Sequence, residues 1–339
     1  MPKTVQNKYY KYLNYEKLLE AHYKSRKGKG YRKEIILFNL KQEEYIMWLL
    51  KKLKNKTYKH GGYSAFYITD PKIRKIEKSK YIDRIVHRWV VDNFLEPVFV
   101  PQFINTSYAC IKGKGMHKAC LDLQNAMKHC KRTWKEYYIL KMDIAKYFDN
   151  INKEILIQIL KRKILDKDLL WLLNEILFAQ KREKGLEIGN YTSQMFANIY
   201  LNEVDQYIKH KLKIKYYFRY MDDSVLFVET KQQAKNALDE IKRFLKNNLE
   251  LELNKKTQIF KSKQGVNFCG YKINEYRLKI RDKGKRRLKR KVKKLKEKVR
   301  QGEITSKEAQ KYLVGHLGYI KIANTYNLEN KLFYNPEIK

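Results

Sequence analysis

Two adjacent carboxylates, Asp222 and Asp223, interrupt a run of aromatic and β-branched residues between Tyr217 and Val228. Aspartate favours turns whereas Tyr, Phe and Val favour sheets, so the pattern predicts a β-hairpin with both aspartates at its turn. Adjacent carboxylates in an apolar setting repel each other and stay ionised together only beside a positive group. A divalent metal ion is the most concentrated such group, a Lys or Arg side chain is another, and a solvated acidic turn is the alternative without any ligand.

A third carboxylate, Asp143, ends a predicted strand that begins at Tyr137. If this strand and the hairpin are neighbours in one antiparallel sheet, with helices packed behind it, the three acids meet. Carboxylates in that arrangement hold two metal ions about 3.5–4 Å apart, which activate an attacking hydroxyl and stabilise a leaving pyrophosphate. Two Mg²⁺ ions suit this chemistry because Mg²⁺ takes oxygen ligands and keeps waters that substrate phosphates can replace. The acids therefore indicate nucleotidyl transfer.

The charge of the chain indicates a polyanionic partner. Its 339 residues contain 75 Lys and Arg against 36 Asp and Glu, and the resulting formal net charge of +39 attracts nucleic acid. Apolar residues make up 43% of the chain, enough for two or three packed subdomains. The four cysteines lack the spacing of a zinc site, and no apolar run or leader pattern predicts a membrane or secreted protein, so a reducing cytoplasm is expected.

A short extended stretch from Phe66 to Arg74 is a candidate for binding a triphosphate. It carries Lys72, a point charge, and Arg74, a forked set of donors, and both suit phosphate oxygens. A solvated basic face is the simpler interpretation of this stretch taken alone.

The most basic part of the chain is residues 281–300, which hold 13 Lys or Arg against two acids. Four apolar residues keep helical spacing within it, so the segment predicts a folded helix rather than a disordered arm (Leu288, Val292, Leu295 and Val299). The charged face of that helix is well placed to follow a phosphate backbone (Arg286, Arg287, Arg290 and Lys294).

Apolar periodicity and capping residues predict the other elements. Helices are expected over Tyr15–Tyr23, after Asn39 to Leu53, over Ile82–Phe94, from Lys153, over Leu169–Phe178, after a Thr192 or Ser193 cap, and after a Thr230 cap. A basic connector is expected over Lys24–Arg32, and strands over Leu251–Phe260 and Val266–Ile273.

Five segments in order resemble the successive sequence blocks of reverse transcriptases: Arg74, MDIAKYF (Met142–Phe148), IGNYTSQ (Ile188–Gln194), YMDD (Tyr220–Asp223) and FCGYKI (Phe268–Ile273). The resemblance covers nearly the whole chain. It implies an α+β right-hand polymerase, with a palm of antiparallel sheet backed by helices. The expected parts are an N-terminal helical extension (1–60), fingers (61–137), a palm (138–270, with 180–195 returning to the fingers) and a basic helical thumb (271–339).

The resemblance also implies roles for individual residues. Asp143, Asp222 and Asp223 would bind two Mg²⁺ ions, with a carbonyl ligand from Ile144. Phe148 would be the steric gate that excludes a ribose 2′-OH. The remaining assignments are nucleotide binding by Lys72, Arg74, Ile188, Gln194 and Lys256 (or its neighbour Lys255), and a primer grip at Phe268 and Gly270.

The loop that ends at Gln194 indicates a subgroup. It reads Ile188-Gly189-Asn190-Tyr191-Thr192-Ser193-Gln194, where many reverse transcriptases have Gln before the Gly, and it is similar to the enzymes of diversity-generating retroelements. In that family an Ile here is linked to errors opposite template adenines, since it cannot donate the hydrogen bond of a Gln. Glu187 departs from the family, which commonly has Pro there.

The same family implies the partners and the limits of the function. Structured template RNA that also supplies the primer, the RNA/cDNA duplex, dNTPs and a small basic accessory protein oligomer are expected, in a bacterial or phage setting without a membrane. The segment after the primer grip is expected to be too short for a thumb plus an RNase H, maturase or endonuclease domain. Two alternatives are a reverse transcriptase of anti-phage defence (abortive-infection or unclassified groups) and a non-enzymatic RNA-binding scaffold.

Overall fold

The computed structural model describes residues 4–69 and 73–334, so the predicted triphosphate ligand Lys72 lies outside the described residues. The chain divides into two compact units. The first unit comprises the described residues of Met1–Asn105, Ile144–Leu212 and Glu240–Lys255, and the second comprises those of Thr106–Asp143, Lys213–Asp239 and Lys256–Lys339. Each unit is thus assembled from three separate stretches of sequence.

Fifteen α-helices are present in the described part of the chain. They are α1 (Tyr9–Tyr12), α2 (Tyr15–Arg26), α3 (Lys33–Leu40), α4 (Gln42–Lys54), α5 (Tyr81–Val90), α6 (Glu96–Phe99), α7 (Met116–Trp134), α8 (Tyr147–Asn150), α9 (Lys153–Lys161), α10 (Lys167–Leu177), α11 (Tyr191–Gln206), α12 (Lys231–Leu249), α13 (Asp282–Arg300), α14 (Ser306–Ile320) and α15 (Tyr326–Glu329). Within residues 4–69 and 73–334 no helix combines the length and hydrophobicity needed to cross a membrane.

Nine strands form three antiparallel sheets among the described residues. The strands are β1 (Tyr63–Ile68), β2 (Arg74–Ser79), β3 (Tyr138–Met142), β4 (Tyr216–Tyr220), β5 (Asp223–Val228), β6 (Gln258–Lys261), β7 (Val266–Phe268), β8 (Tyr271–Ile273) and β9 (Leu278–Ile280). The hairpin β1-β2 belongs to the first unit. The sheets β4-β5-β3-β6 and β7-β8-β9 belong to the second unit.

The first unit is organised around α5, which packs against α2 and α11. Its apolar side chains Ile85, Val86 and Trp89 are fully buried, as the helical stripe in the sequence predicts. Asp83 on the same helix is also buried, and it accepts hydrogen bonds from the Tyr58 hydroxyl (2.6 Å) and the Gly61 amide (3.1 Å). Because these donors replace lost water, the carboxylate can lie in the core.

The core of the second unit lies between the two sheets and their helices. Helix α7 packs on β4 and β8, and α13 packs on α14. Leu288, Val292 and Leu295 bury one face of α13, while Arg286, Arg287, Arg290 and Lys294 are exposed. The predicted basic helix is therefore present, with its charge in solvent and its apolar stripe in the core.

Several predicted elements differ from the observed ones. Helix α2 continues to Arg26, into the basic connector expected over Lys24–Arg32. Helix α3 begins directly after this connector, at Lys33, and ends at Leu40. The helix predicted over Ile82–Phe94 is α5 followed by one π-helical turn from Val91 to Leu95. Of the strand predicted over Leu251–Phe260, only β6 forms at its end, because Lys255 and Lys256 make a turn and Leu253 before them forms only an isolated bridge.

Candidate active site

The strand register brings the predicted acids to one end of the four-stranded sheet. Strands β3 and β5 pair in antiparallel register up to Met142 opposite Ser224, so one further step places Asp143 opposite Asp223. Strand β4 pairs with β5 up to Tyr220 opposite Asp223, and Asp222 lies in the connection between them. The three aspartates thus lie at the same end of adjacent strands, all in the second unit.

The hairpin turn is shorter than the sequence predicts. Asp223 is the first residue of β5, so the prediction that both aspartates lie in the turn is wrong. Met221 and Asp222 alone make a two-residue turn, and Met221 takes a left-handed φ of 57° that closes it. A two-residue hairpin needs such a backbone because only that twist matches the flanking strands. The strand ladder therefore fixes Asp223 while Asp222 stays at the tip.

Electrostatics at Asp223 indicate a site for positive charge. Burial raises the pKa of Asp223, the nearby charge of Asp143 raises it further, and an ion pair with Lys141 opposes both effects. The Lys141 ammonium contacts Asp223 Oδ1 directly. Lys141 is on β3 and Asp143 directly follows its last residue, two positions after Lys141, so strand alternation puts both side chains on the same face of the sheet. Asp223, which the charge of Asp143 also affects, is therefore already paired with one cation.

The donor set fits a hard divalent cation. Asp143 and Asp223 face each other with carboxylate oxygens, which are the ligands that Mg²⁺ prefers. Among the described residues, no cluster of three or more His, Cys, Asp or Glu side chains has the spacing of a formed metal site. The predicted carbonyl ligand Ile144 is buried and forms an isolated antiparallel bridge with Leu253. A metal ion bound here would supply charge neutralisation and a polarised oxygen ligand.

The predicted primer grip is the tight turn between β7 and β8. Phe268 pairs with Tyr271, and both residues between them have left-handed φ values, 48° at Cys269 and 89° at Gly270. A Cβ at Gly270 would lie 2.5 Å from the Tyr319 hydroxyl, so only glycine fits. That hydroxyl donates to the Gly270 carbonyl at 2.5 Å, and Tyr271 in turn donates to the Tyr319 carbonyl at 2.5 Å.

In the first unit, the loop around Ile188 is attached to β2. The Glu77 amide donates to the Ile188 carbonyl (3.0 Å), and the Asn190 side chain bonds to the Glu77 carbonyl (2.9 Å) and the Ser79 amide (3.2 Å). Gly189 has a φ of 117°, and a Cβ there would lie 2.8 Å from the Ile76 side chain. Glycine therefore lets the loop approach β2 closely.

The start of α11 differs from the prediction for the same reason. Asn190 is the N-cap, but its side chain makes no cap hydrogen bond because it bonds to β2 instead. Thr192 and Ser193, which the sequence suggests as caps, lie buried inside the helix. Gln194 follows them on the first turn, half-buried.

Backbone hydrogen bonds attach the loop around Ile188 to Phe148 and to β2, the strand that begins at Arg74. The Leu186 amide donates to the Phe148 carbonyl at 2.8 Å, so the loop that carries Ile188 is also tied to the residue predicted as the steric gate. Arg74 is the first residue of β2, the strand to which the loop is attached. These residues belong to the first unit, whereas the exposed Lys256 belongs to the second, so a common nucleotide site remains a prediction.

A buried ion pair supports the same loop and is not evident from the sequence. Lys153 is fully buried, and its Nζ lies 3.7 Å from Glu187 Oε1 and donates to the Gln180 carbonyl at 3.4 Å. Burial lowers the pKa of Lys153 and raises the pKa of Glu187. Burial raises the pKa of Tyr63 on β1, and the nearby Glu187 carboxylate raises it further. Glu187, where the family commonly has Pro, is therefore a member of a buried polar network.

A family model described as "Reverse transcriptase (RNA-dependent DNA polymerase)" matches residues 59–273. Protein YkfC of Escherichia coli is 26% identical over 60% of this chain and 63% of its own. The group II intron-encoded protein LtrA of Lactococcus lactis is 24% identical over 68% of this chain and 50% of its own. The Retron Ec73 reverse transcriptase of Escherichia coli is 26% identical over 56% of each.

The chain spans less than two thirds of the length of each of these relatives. Among solved structures, apo telomerase from Candida Tropicalis is 14% identical over 65% of this chain and 48% of its own, with a TM-score of 0.49.

Proposed function

Because this chain belongs to the reverse transcriptase family, we propose that it is an RNA-directed DNA polymerase that makes cDNA by two-metal nucleotidyl transfer. The family has the right-hand polymerase fold, and the antiparallel sheet backed by helices agrees with it. The observation that carries the proposal is the strand register, which places Asp143 opposite Asp223 and beside the turn of Asp222. In this proposal the three carboxylates and the Ile144 carbonyl hold two Mg²⁺ ions.

The other predicted residues take the remaining roles in this proposal. Arg74, Lys72 and Lys256 neutralise the triphosphate of a dNTP, with Gln194 on the first turn of α11. Phe268 and Gly270 support the primer end. Helix α13 follows the template–primer duplex through its exposed cations (Arg286, Arg287, Arg290 and Lys294). The fingers, palm and thumb boundaries are proposed at residues 61, 138 and 271, after an N-terminal helical extension.

Primer extension tests the proposal directly. The full chain is incubated with a primed structured RNA, dNTPs and Mg²⁺, and the cDNA is resolved by length. Extension that requires Mg²⁺ supports the enzyme. Binding of the RNA without any extension would favour a scaffold that has kept the polymerase fold.

We further propose that the copying is error-prone at template adenines, as expected for the polymerase of a diversity-generating retroelement. The branched Ile188 side chain offers no hydrogen bond, so discrimination against mispairs weakens. The attachment of the Ile188 loop to β2 supports the proposal, because it fixes the position of this side chain. A small basic accessory protein would then be a partner. Errors without any adenine bias would favour the anti-phage defence alternative.

Ile188→Gln is expected to lower misincorporation opposite template adenines about two- to tenfold, since one regained hydrogen bond is worth about 0.5–1.5 kcal/mol. Sequencing of cDNA from a defined RNA measures the errors at each template base. Ile36→Gln makes the same chemical change at an exposed position of α3 and should leave the error spectrum unchanged. An unaltered spectrum in Ile188→Gln would remove Ile188 from base selection.

Phe148→Ala is expected to admit ribonucleotides, because it removes the bulk that abuts the 2′-position of the sugar. The ratio of kcat/KM for dNTP over rNTP should fall about tenfold or more, with dNTP extension retained. Phe244→Ala is the control, since Phe244 stacks on Tyr207 at 4.4 Å in another part of the first unit. Equal sugar selection in the two variants would contradict the gate assignment.

A further inference from the structure

Lys141 lies in the second unit, among the acids that the proposed function uses. It pairs opposite Val225 on β5, and its side chain is 18% exposed. Its Nζ contacts Asp223 Oδ1, one of the oxygens that a divalent cation would need. Asp143 directly follows the end of β3, two positions after Lys141 and on the same face. The Lys141 ammonium and a bound metal ion would therefore use the same carboxylate, that of Asp223.

A second contact limits where this ammonium can go. The Lys141 Nζ lies 5.7 Å from the centroid of the Phe268 ring, within the range of a cation–π interaction. Phe268 is 1% exposed and is the last residue of β7, directly before the β7-β8 turn. Its backbone carbonyl accepts a hydrogen bond from the Cys120 thiol. The aromatic ring thus offers the ammonium a fixed position next to Asp223. Lys141 of β3 thus contacts both Asp223 and Phe268, a residue of the predicted primer grip.

We propose that Lys141 is the resident counter-cation of the aspartate site and competes with the divalent metal for Asp223. In the metal-free protein its ammonium neutralises Asp223 and offsets the repulsion between Asp143 and Asp223. When the metal binds, the ammonium gives up Asp223 and keeps its contact with Phe268. Lys141 is a positioning residue, since it acts through the carboxylates. The inference rests on the metal site of the proposed function.

Competition gives Lys141 two opposite effects that a merely structural residue would not have. Without metal, removal of the ammonium leaves two facing carboxylates with less compensation, so the protein becomes less stable. With metal, removal of the ammonium abolishes a competing charge, so the ion binds more tightly. At a fixed metal concentration, a more tightly bound ion raises the melting temperature further, and the two effects therefore appear as a larger metal-induced shift.

The experiment uses the full chain without RNA or nucleotide. Melting is recorded in EDTA and in Mg²⁺, and Mn²⁺ binding is measured by the loss of the free-ion EPR signal. For Lys141→Met we expect a lower Tm in EDTA, a metal-induced shift at least twice that of the wild type, and a Mn²⁺ Kd about tenfold lower, within the usual range of site coupling. Lys141→Arg keeps the charge and should respond as the wild type does.

Lys272→Met is the matched control, because Lys272 is exposed on β8 of the same unit and its loss changes the net charge equally. A Tm loss in Lys141→Met that is equal with and without metal, together with an unchanged Kd, would show a structural role only and overturn the proposal. Weaker Mn²⁺ binding would overturn it as well. Absence of Mn²⁺ binding in the wild type would instead contradict the metal site itself. If Lys141→Met does not fold, Lys141→Gln serves with the same outcomes.

Discussion

Asp222→Asn is expected to abolish cDNA synthesis while the protein stays folded and bound to RNA. The substitution keeps the size of the side chain but removes one negative charge from the proposed metal ligands. Loss of several kcal/mol of transition-state stabilisation corresponds to a decrease in rate of at least about 10³-fold. Asp222 lies at the tip of the hairpin, outside the strand ladder, so the fold should tolerate the change. Primer extension under single-turnover conditions measures the rate.

The control is Asp239→Asn, an identical chemical change at an exposed position of α12. It should extend primers at the wild-type rate, and both variants should bind the RNA with wild-type affinity. Asp143→Asn should match Asp222→Asn. A residual rate above about one tenth of the wild type in Asp222→Asn would mean that this carboxylate is not a metal ligand in the reaction.

The second large effect is expected on stability. Lys153→Met leaves Glu187 buried without its partner and should lower the free energy of unfolding by about 3–5 kcal/mol. Urea denaturation at several pH values measures it. Burial raises the pKa of Glu187 above its usual value of 4.5, so the folded variant binds more protons than the unfolded chain. Stability of Lys153→Met should therefore be greatest at or below about pH 4.5 and decrease as the pH rises through the raised pKa.

The double variant Lys153→Met/Glu187→Leu separates loss of the pair from loss of packing. It replaces both charges by apolar groups, a change that is often neutral or stabilising. We expect it to recover most of the stability and to lose the dependence on pH. If the double variant is as unstable as the single one, the cost arises from packing around Lys153 and the ion pair contributes little.

Short-range patterns were sufficient to predict the elements that carry the acids. The alternation around Asp222 and the strand that ends at Asp143 predict β4, β5 and β3, and the observed ladder brings these strands together. The predicted position of the turn was wrong by one residue: the turn consists of Met221 and Asp222 instead of Asp222 and Asp223. Met221 has a left-handed backbone, which is rare for Met. Residue propensities therefore do not predict a turn that begins at Met221.

Contacts between distant residues were not predictable. The sequence suggests Thr192 or Ser193 as the cap of α11, yet the N-cap residue is Asn190, whose side chain bonds to Glu77, 113 positions away in the sequence. Lys153 and Glu187 look like two surface charges, because sequence alone does not show that both are buried. In each case tertiary structure satisfies a polar group that a local rule would assign to solvent or to a cap.

The exchange of hydrogen bonds between Gly270, Tyr271 and Tyr319 has a practical consequence for shortened versions of this protein. Tyr319 belongs to α14, so this helix and the β7-β8 turn are joined by two reciprocal hydrogen bonds. Removing α14 would leave the Gly270 carbonyl and the face of Tyr271 uncovered at the same time. We therefore expect that trimming the C-terminal helices for crystallisation or fusion has to end beyond Tyr319 if the β7-β8 turn, the proposed primer grip, is to keep its support.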